Sequence, residues 1–399
     1  MRISKASSKA ESAPRDGALA VRFELTGEQE LFRQTAREFL DSETPMNRIR
    51  DTWSTVKGFD RSWWSRAATL GWTSLMVDED HGGGCLAGLP ACDAAILAEE
   101  LGRTCGPGPF LPVTLSAFAI SSHGNPQQQA DLLPGLLDGS RISAWALAEA
   151  GDVWSAADLS TTIEPDGDEV VIRGRKLYVE ALGSADWLLV TGASADGPSQ
   201  VVVDVAAPGV TITAGRSVDM VRRFGTVTLD DVRVPVSALV GHVGCGAEAV
   251  ERQLQLALIL QCAQINGAAG ELFDRTVDYA KYRYAFGRPI GAYQALKHRF
   301  ADMLQRLEFA RGIADAAALA FDRAAPDAGE LARVAKAYVP DAGLDVVDDC
   351  VQINGGIGVT WEHDAHLFSR RVALDRAIYG APEIHKETLV DKLGLVSTR

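Results

Sequence analysis

After Gly246 the sequence keeps one helical pattern for about 35 residues, reaching Tyr284 and stopping at the turn Gly287-Arg288-Pro289. Two more helical stretches follow, roughly 293–323 and 329–353, so the chain closes in a bundle of long helices. The segment before the bundle has a different texture. From about 142 to 240 it runs in short alternating stretches (144–148, 169–173, 187–191, 201–205, 210–213 and 227–234) broken by Asp-Gly, Pro-Gly and Asp-Asp turns. That pattern implies a β-rich middle domain, a barrel or sandwich. Ahead of it, 25–42 opens with Thr26 and Gln29 in capping-box spacing and places Phe32, Ala36, Phe39 and Leu40 on one helical face. Further helical patterning at 61–70, 91–102 and 127–137 is separated by the Gly82-Gly83-Gly84 loop and the Gly106-Pro107-Gly108 turn. The chain is therefore expected to be a multi-domain α+β protein. Its expected parts are a flexible tail over 1–22, a helical domain over 23–140, a β domain over 141–240 and a helical bundle over 241–399.

A formal charge of −14, from 53 acidic and 39 basic residues, repels phosphate backbones and anionic membrane surfaces, so no nucleic-acid or membrane partner is expected. Cys85, Cys92, Cys105, Cys245, Cys262 and Cys350 form no C-x-x-C pair and mostly sit in apolar helical stretches. They read as small buried hydrophobes in a reducing compartment, which leaves no structural zinc or redox dithiol. No apolar run reaches the length of a bilayer span, and the first 22 residues lack a hydrophobic signal core. Glu11 and Asp16 argue against a transit peptide, and a cytoplasmic location is expected. His363 and His366 could lie on one helical face, but no third ligand pattern accompanies them and no metal site is expected. Trp63, Trp64 and Trp72 read as core of the first helical region.

Four segments, in order over most of the chain, carry a family resemblance. They are Leu70-Gly71-Trp72 through Glu99-Glu100-Leu101-Gly102-Arg103, and Ala146-Leu147-Ala148-Glu149 with Gly174-Arg175-Lys176 and Asp231-Val232-Arg233-Val234-Pro235. The third runs from Arg283-Tyr284-Ala285-Phe286-Gly287-Arg288-Pro289-Ile290 to Gln294 and His298-Arg299-Phe300-Ala301-Asp302-Met303. The fourth is Gln352-Ile353-Asn354-Gly355-Gly356-Ile357-Gly358 continuing through Trp361. Together they resemble the acyl-CoA dehydrogenases. The resemblance implies that family's fold, with a C-terminal four-helix bundle, FAD as cofactor, an acyl-CoA substrate and an oligomeric assembly. It also implies that Arg283, Phe286, Gln294, Gln352, Gly355 and Gly356 grip the ADP half of a neighbouring subunit's FAD. The chemistry suits that role: an arginine offers fixed donors to a pyrophosphate, glutamines offer amides, and glycines let backbone approach a phosphate or adenine. The plain alternative is that Arg283 is a solvated helix-end charge and Gly355-Gly356 a helix C-cap. Coenzyme A esters are anionic, so binding one to this acidic chain would need a local basic or helix-terminus patch.

The resemblance fails where the family keeps its base. The reaction removes an α-proton and needs a desolvated carboxylate of raised pKa. Most members place it just before a glycine near the C-terminus, where this chain has Tyr379 before Gly380. Others place it on the long helix 29 residues before the Phe of the Phe-Gly turn, and counting back from Phe286 gives Ala257. Glu251 lies about 9 Å along and about 240° around a helix from Ala257, too far to substitute, and Glu383 matches a non-basic position. Tyr178-Val179-Glu180 stands where many members have Trp-Ile-Thr against the flavin, and Gly151-Asp152-Val153-Trp154 replaces a Gly-Ser-Asp pattern. Glu180 reads either as a relocated base or as a surface ion pair.

The strings Gly106-Pro107-Gly108-Pro109-Phe110-Leu111-Pro112 and 360–366 resemble actinobacterial members that act as α2β2 assemblies, some on steroid side-chain thioesters. In those assemblies one subunit type supplies the base and the other completes the FAD site. The chain is accordingly expected to be the subunit without a base, partnered by a catalytic homologue. Two other readings stay open: a homotetramer with a non-standard base, and a flavin-free acyl-binding scaffold.

Overall fold

The computed structural model describes residues 24–394 apart from Ser54 and Val56. The expected tail therefore lies outside the described residues. Helix α1 (Gly27–Glu43) begins at the expected capping box: the Gln29 N–H donates to Thr26 Oγ1 at 3.2 Å, and Gln29 Oε1 accepts from the Thr26 N–H at 3.0 Å. It is followed by α2 (Met46–Thr52), α3 (Arg61–Ala68), α4 (Pro90–Arg103), α5 (Phe110–His123) and α6 (Pro126–Leu137). Trp63, Trp64 and Trp72 are buried in this layer, as their sequence context implied. Helix α5 had no amphipathic signal because nearly every one of its side chains is buried.

One eight-stranded sheet follows. Its strands are β1 (Ser143–Ala146), β2 (Thr162–Asp166), β3 (Glu169–Glu180), β4 (Trp187–Ser194), β5 (Gly197–Asp204), β6 (Val210–Ala214), β7 (Phe224–Pro235) and β8 (Leu239–Val240). The order is β6-β7-β3-β2-β4-β5-β8 with β1 added beside β4. Alternate residues such as Ile163, Ile172, Val190, Val201 and Val227 point into a core that the sheet wraps around itself. Two register shifts interrupt the β3–β7 pairing, the second between Lys176 and Val179. That bulge holds Tyr178 at φ +51° and re-aims the end of β3 toward the C-terminal helices.

The bundle opens with α7 (Ala247–Tyr282), a helix of 36 residues and therefore about 54 Å long. A two-strand hairpin, β9 (Tyr284–Ala285) and β10 (Arg288–Pro289), leads to α8 (Gln294–Asp322), α9 (Ala328–Asn354), α10 (Ala365–Ala377) and α11 (Pro382–Lys392). Contrary to the sequence expectation, α7 is long and apolar enough to cross a membrane by length and composition, but 94% of its apolar window is buried inside the protein. It is a core helix, with α4 on one side and α9 on another.

The α4–α7 contact is made backbone to backbone. A Cβ on Gly267 would lie 1.9 Å from the Glu99 carbonyl oxygen, and one on Gly102 would lie 2.0 Å from the Gln264 carbonyl oxygen. Neither oxygen can move without unwinding its helix. Gly267→Ala is expected to destabilise the fold by about 3 kcal/mol, the top of the usual overpacking range, read as a lower urea midpoint. A midpoint within experimental error of the parent would show that the two helices can slide apart.

Candidate functional site

Tyr379 leaves the end of α10 at φ +57° and is pinned from beneath. The Lys336 ammonium donates to the carbonyls of Asp375 at 2.5 Å and Ile378 at 2.9 Å, and to Gln261 Oε1 at 2.8 Å. His385 Nε2 donates to the Tyr379 carbonyl at 3.0 Å. Burial pushes Lys336 down to about 8 and His385 down to about 4. The Tyr379 phenol is pushed up, first by burial and then by the Glu180 charge, so it stays protonated at neutral pH. A neutral phenol is no base for an α-proton. Ala257 is fully buried in α7. Glu251 is held by Arg333 at 2.8 Å to each of its oxygens, and Glu383 by Arg376 at 2.6 Å.

The space facing Tyr379 is filled by aromatic side chains. Its ring stacks on Trp145 with centroids 5.9 Å apart, and meets Trp154 at 5.4 Å. Trp154 in turn stacks on Tyr178 at 5.8 Å and 15°. Tyr178 and Tyr379 are the residues that the sequence resemblance sets at the flavin-flanking indole and at the acid. A planar ring held between two faces needs roughly 7 Å between them, about 3.5 Å a side. Here the chain's own indole, Trp154, lies between the two.

Glu149 sets that indole in place. Its carboxylate accepts from the Ser160 N–H at 2.6 Å, the Thr161 N–H at 2.9 Å and the Lys176 ammonium at 2.5 Å. Its backbone N–H donates to the Val153 carbonyl at 3.1 Å, which reverses the chain through Gly151 and Asp152 immediately before Trp154. Against burial, the Lys176, Ser160 and Thr161 hydrogen bonds bring Glu149 down from 4.5 to about 2. Its contribution to stability is therefore complete above pH 4.5 and is lost as pH falls toward 2. Glu149→Gln should flatten the fall of thermal stability across that interval, followed by circular dichroism. An unchanged slope would assign acid sensitivity elsewhere.

Behind the aromatic side chains lies a charged layer, which corrects the expectation that Glu180 forms a surface ion pair. Glu180 is 7% exposed and receives both prongs of Arg222, at 2.6 and 2.7 Å. The same guanidinium bonds Asp375 on α10. Asp219 accepts from the backbone N–H groups of Val221 and Arg222 at 2.8 and 2.9 Å, and from Arg371 Nε at 2.5 Å. Arg371 continues to the carbonyls of Cys105 and Gly106, both at 3.1 Å. Burial raises the Asp375 pKa; against burial, Arg371 keeps Asp219 low. Glu180 turned inward because the bulge at Tyr178 rotates the strand end and because Arg222 waits there. Both of its oxygens are engaged by that guanidinium. Arg222→Met would strand two buried carboxylates and is expected to cost about 3–5 kcal/mol by urea denaturation. A loss under about 1 kcal/mol would mean that water reaches the layer.

The residues expected to clamp a neighbour's cofactor lie together at another place, one end of the bundle. Arg299 Nε bonds Asp349 at 3.0 Å, tying the start of α8 to the end of α9. Asn354 Nδ2 donates to Thr276 Oγ1 at 3.1 Å, tying α9 to α7. Arg283, Phe286, Gln294, Gln352, Gly355 and Gly356 are all exposed there. Among the described residues, the side chains of Arg283, Gln294 and Gln352 make no hydrogen bond or ion pair. Phe286 is 98% exposed at the hairpin tip, which the Tyr293 hydroxyl braces by donating to the Ala285 carbonyl at 2.9 Å. Gly355 is the C-cap of α9, as the plainer reading had it, and sits at φ +66°, ψ −145°, a region open essentially to glycine alone. A Cβ on Gly356 would meet nothing among the described residues within 4 Å.

His363 precedes α10 and its Nδ1 accepts from the Ala365 N–H, whereas His366 stacks on Trp361 at 4.9 Å. Among the described residues no cluster of three or more His, Cys, Asp or Glu could hold a metal ion. Of the cysteines, Cys105, Cys262 and Cys350 are buried, Cys85 and Cys92 half-buried and Cys245 exposed.

The family models for the acyl-CoA dehydrogenase N-terminal and C-terminal domains match residues 26–140 and 244–394. Acyl-CoA dehydrogenase FadE12 of Mycobacterium tuberculosis H37Rv is 32% identical over 324 residues, covering 78% of this chain and 82% of that protein. The chain belongs to the acyl-CoA dehydrogenase family. Acyl-CoA dehydrogenase IpdE2 of Mycolicibacterium smegmatis is 28% identical over 359 residues, 90% of this chain and 96% of its own. Among solved structures, a variant of the Tcur3481-Tcur3483 steroid ACAD superposes with a TM-score of 0.84 at 32% identity, covering 92% and 98% of the two chains. A putative acyl-CoA dehydrogenase from Mycobacterium smegmatis gives 0.87 at 26% identity over 94% and 99%. The N-terminal helical domain, central β domain and C-terminal helical domain are thus those of an FAD-dependent oxidoreductase family. Against that cofactor the two regions behave differently. The exposed end of the bundle offers donors unpaired among the described residues and open glycine backbone that suit an ADP group, whereas in the Tyr379 region Trp154 stacks on the face of Tyr178 where a flavin ring would lie.

Proposed function

We propose that this chain is the base-lacking subunit of a hetero-oligomeric acyl-CoA dehydrogenase, completing the FAD site of a homologous subunit that carries the carboxylate. The observation that carries this reading is Trp154, wedged between Tyr178 and Tyr379 where a subunit with its own active site needs room. In the assembly Arg283 would give charge-assisted hydrogen bonds to the pyrophosphate, with Gln294 and Gln352 adding amide donors. Gly355 and Gly356 would let the α9 terminus approach the adenylate, and Phe286 would pack against the neighbouring subunit. Bound FAD supplies hydride acceptance from the β-carbon of the acyl thioester; the role of this chain is to hold its distal half and exclude water from the junction. A bulky, steroid-like acyl group is supported by the 32% identical steroid ACAD, whose name joins two components, Tcur3481 and Tcur3483. The expected cytoplasmic location belongs to the same proposal.

The deciding experiment measures flavin absorbance and subunit composition of the chain purified alone and co-expressed with a homologue that has the glutamate. Flavin in the mixed assembly and none in the chain alone is the expected outcome. A yellow homo-oligomer bleached by an acyl-CoA would overturn the reading in favour of a non-standard base. Absence of flavin from a stable mixed assembly would favour a scaffold. In the mixed assembly Arg283→Ala should weaken FAD binding roughly 10- to 100-fold, the range for a lost charge-assisted hydrogen bond, without shifting the melting temperature. Full flavin content in that variant would remove Arg283 from the clamp.

A further inference from the structure

A cavity of about 730 Å³ lies between the N-terminal helices and the bundle, away from both regions described above. Its floor is Ala263 and Asn266 on α7. Asn266 lies nine residues beyond Ala257, about 180° around the helix and about 14 Å along it, so it faces away from the dehydrogenation position. Its walls are two helical stripes. On α4 the stripe is Cys92, Ala95, Ile96 and Glu99; on α8 it is Arg311, Ala314, Asp315 and Ala318. Both have the i, i+3, i+4, i+7 spacing of residues that normally interlock. Protein interiors leave few voids larger than a water molecule. Here alanines face one another where leucines would close the gap, and the volume falls in the range of small-molecule sites.

A second observation points to an occupant. Asn266 is 3% exposed and lines this cavity. Its amide makes no hydrogen bond among the described residues, although it offers two donors and an acceptor. Among the described residues, that hydrogen-bonding capacity is left to the cavity. The Arg311 guanidinium is beside it: a Cβ on Gly270, one turn beyond Asn266, would be 2.6 Å from Arg311 Nη2. Arg311 Nη1 donates to Glu308 at 2.9 Å, but its buried Nε lies 3.5 Å from Glu99 and makes no hydrogen bond among the described residues.

Charge narrows the ligand class. The lining holds four carboxylates, Glu24, Glu30, Glu99 and Asp315, against the two guanidiniums Arg33 and Arg311, which disfavours an anionic head. At the floor, the Arg311 guanidinium beside Asn266 disfavours a cationic one. We propose that this cavity binds an uncharged, largely apolar molecule through a carbonyl or hydroxyl oxygen. That oxygen accepts a hydrogen bond from the Asn266 amide, and the apolar body lies against Ala95, Ala314 and Ala318. The site is independent of the dehydrogenation region and of the subunit role proposed above.

Three probes of equal length separate the alternatives: 2-decanone, decanoate and decylamine, each titrated calorimetrically into the full-length chain. Saturable binding of 2-decanone, stronger than that of either charged probe, is expected. Asn266→Leu should weaken it about tenfold or more, as for a lost hydrogen bond. Ala314→Phe, which fills the cavity, should abolish it. Ala318→Leu fills less and serves as the second variant if Ala314→Phe does not fold. No saturable binding of 2-decanone, equal binding by the filled variant, or preference for a charged probe would overturn the proposal.

Discussion

Arg222 is the group on which the arrangement of this molecule turns. It arrives on the β6–β7 connection, oriented by Asp219, and joins Glu180 on the sheet to Asp375 on the bundle. A buried ion pair of this kind seldom adds much net stability, because desolvation offsets most of the attraction. Its strength is directional. A bidentate guanidinium fixes distance and angle together, so the sheet is presented to the bundle in one pose. Only in that pose do Tyr178 from the sheet and Tyr379 from the bundle close on Trp154.

The molecule therefore presents two regions of opposite character. Between sheet and bundle Trp154 packs against Tyr379 and the half-exposed Tyr178, while the open end of the bundle displays side chains that make no hydrogen bond or ion pair among the described residues. The differences lie in side chains rather than backbone, which is why the fold stays superposable on its relatives at a TM-score of 0.84 or above.

What the sequence disclosed and what it hid follow from the range of the interactions. The capping box at Thr26 and the turn at Gly287 are local, so both could be read directly. The end-of-bundle residues were found through resemblance, since nothing in Gln294 or Gln352 alone announces a shared surface. Strand β2 was concealed by Glu164 and Pro165, which break the alternation expected of a strand. Glu180 looked like a surface residue because its partner is 42 positions away and enters from a loop. Trp154 was visible as a departure from pattern, but its place between two tyrosines depends on contacts spanning three parts of the chain. Lys336 and His385, which pin the Tyr379 turn, gave no sequence signal at all.

Helix α7 runs unbroken past Asn266 to its C-cap at Arg283. Seventeen residues separate the two, about 25 Å of continuous helix. The close contact around Gly267 fixes that rod against α4 near the cavity end. The cavity floor at Asn266 and the exposed end of the bundle at Arg283 are thus two stations on one rigid rod, set at a fixed spacing and angle by the helix itself.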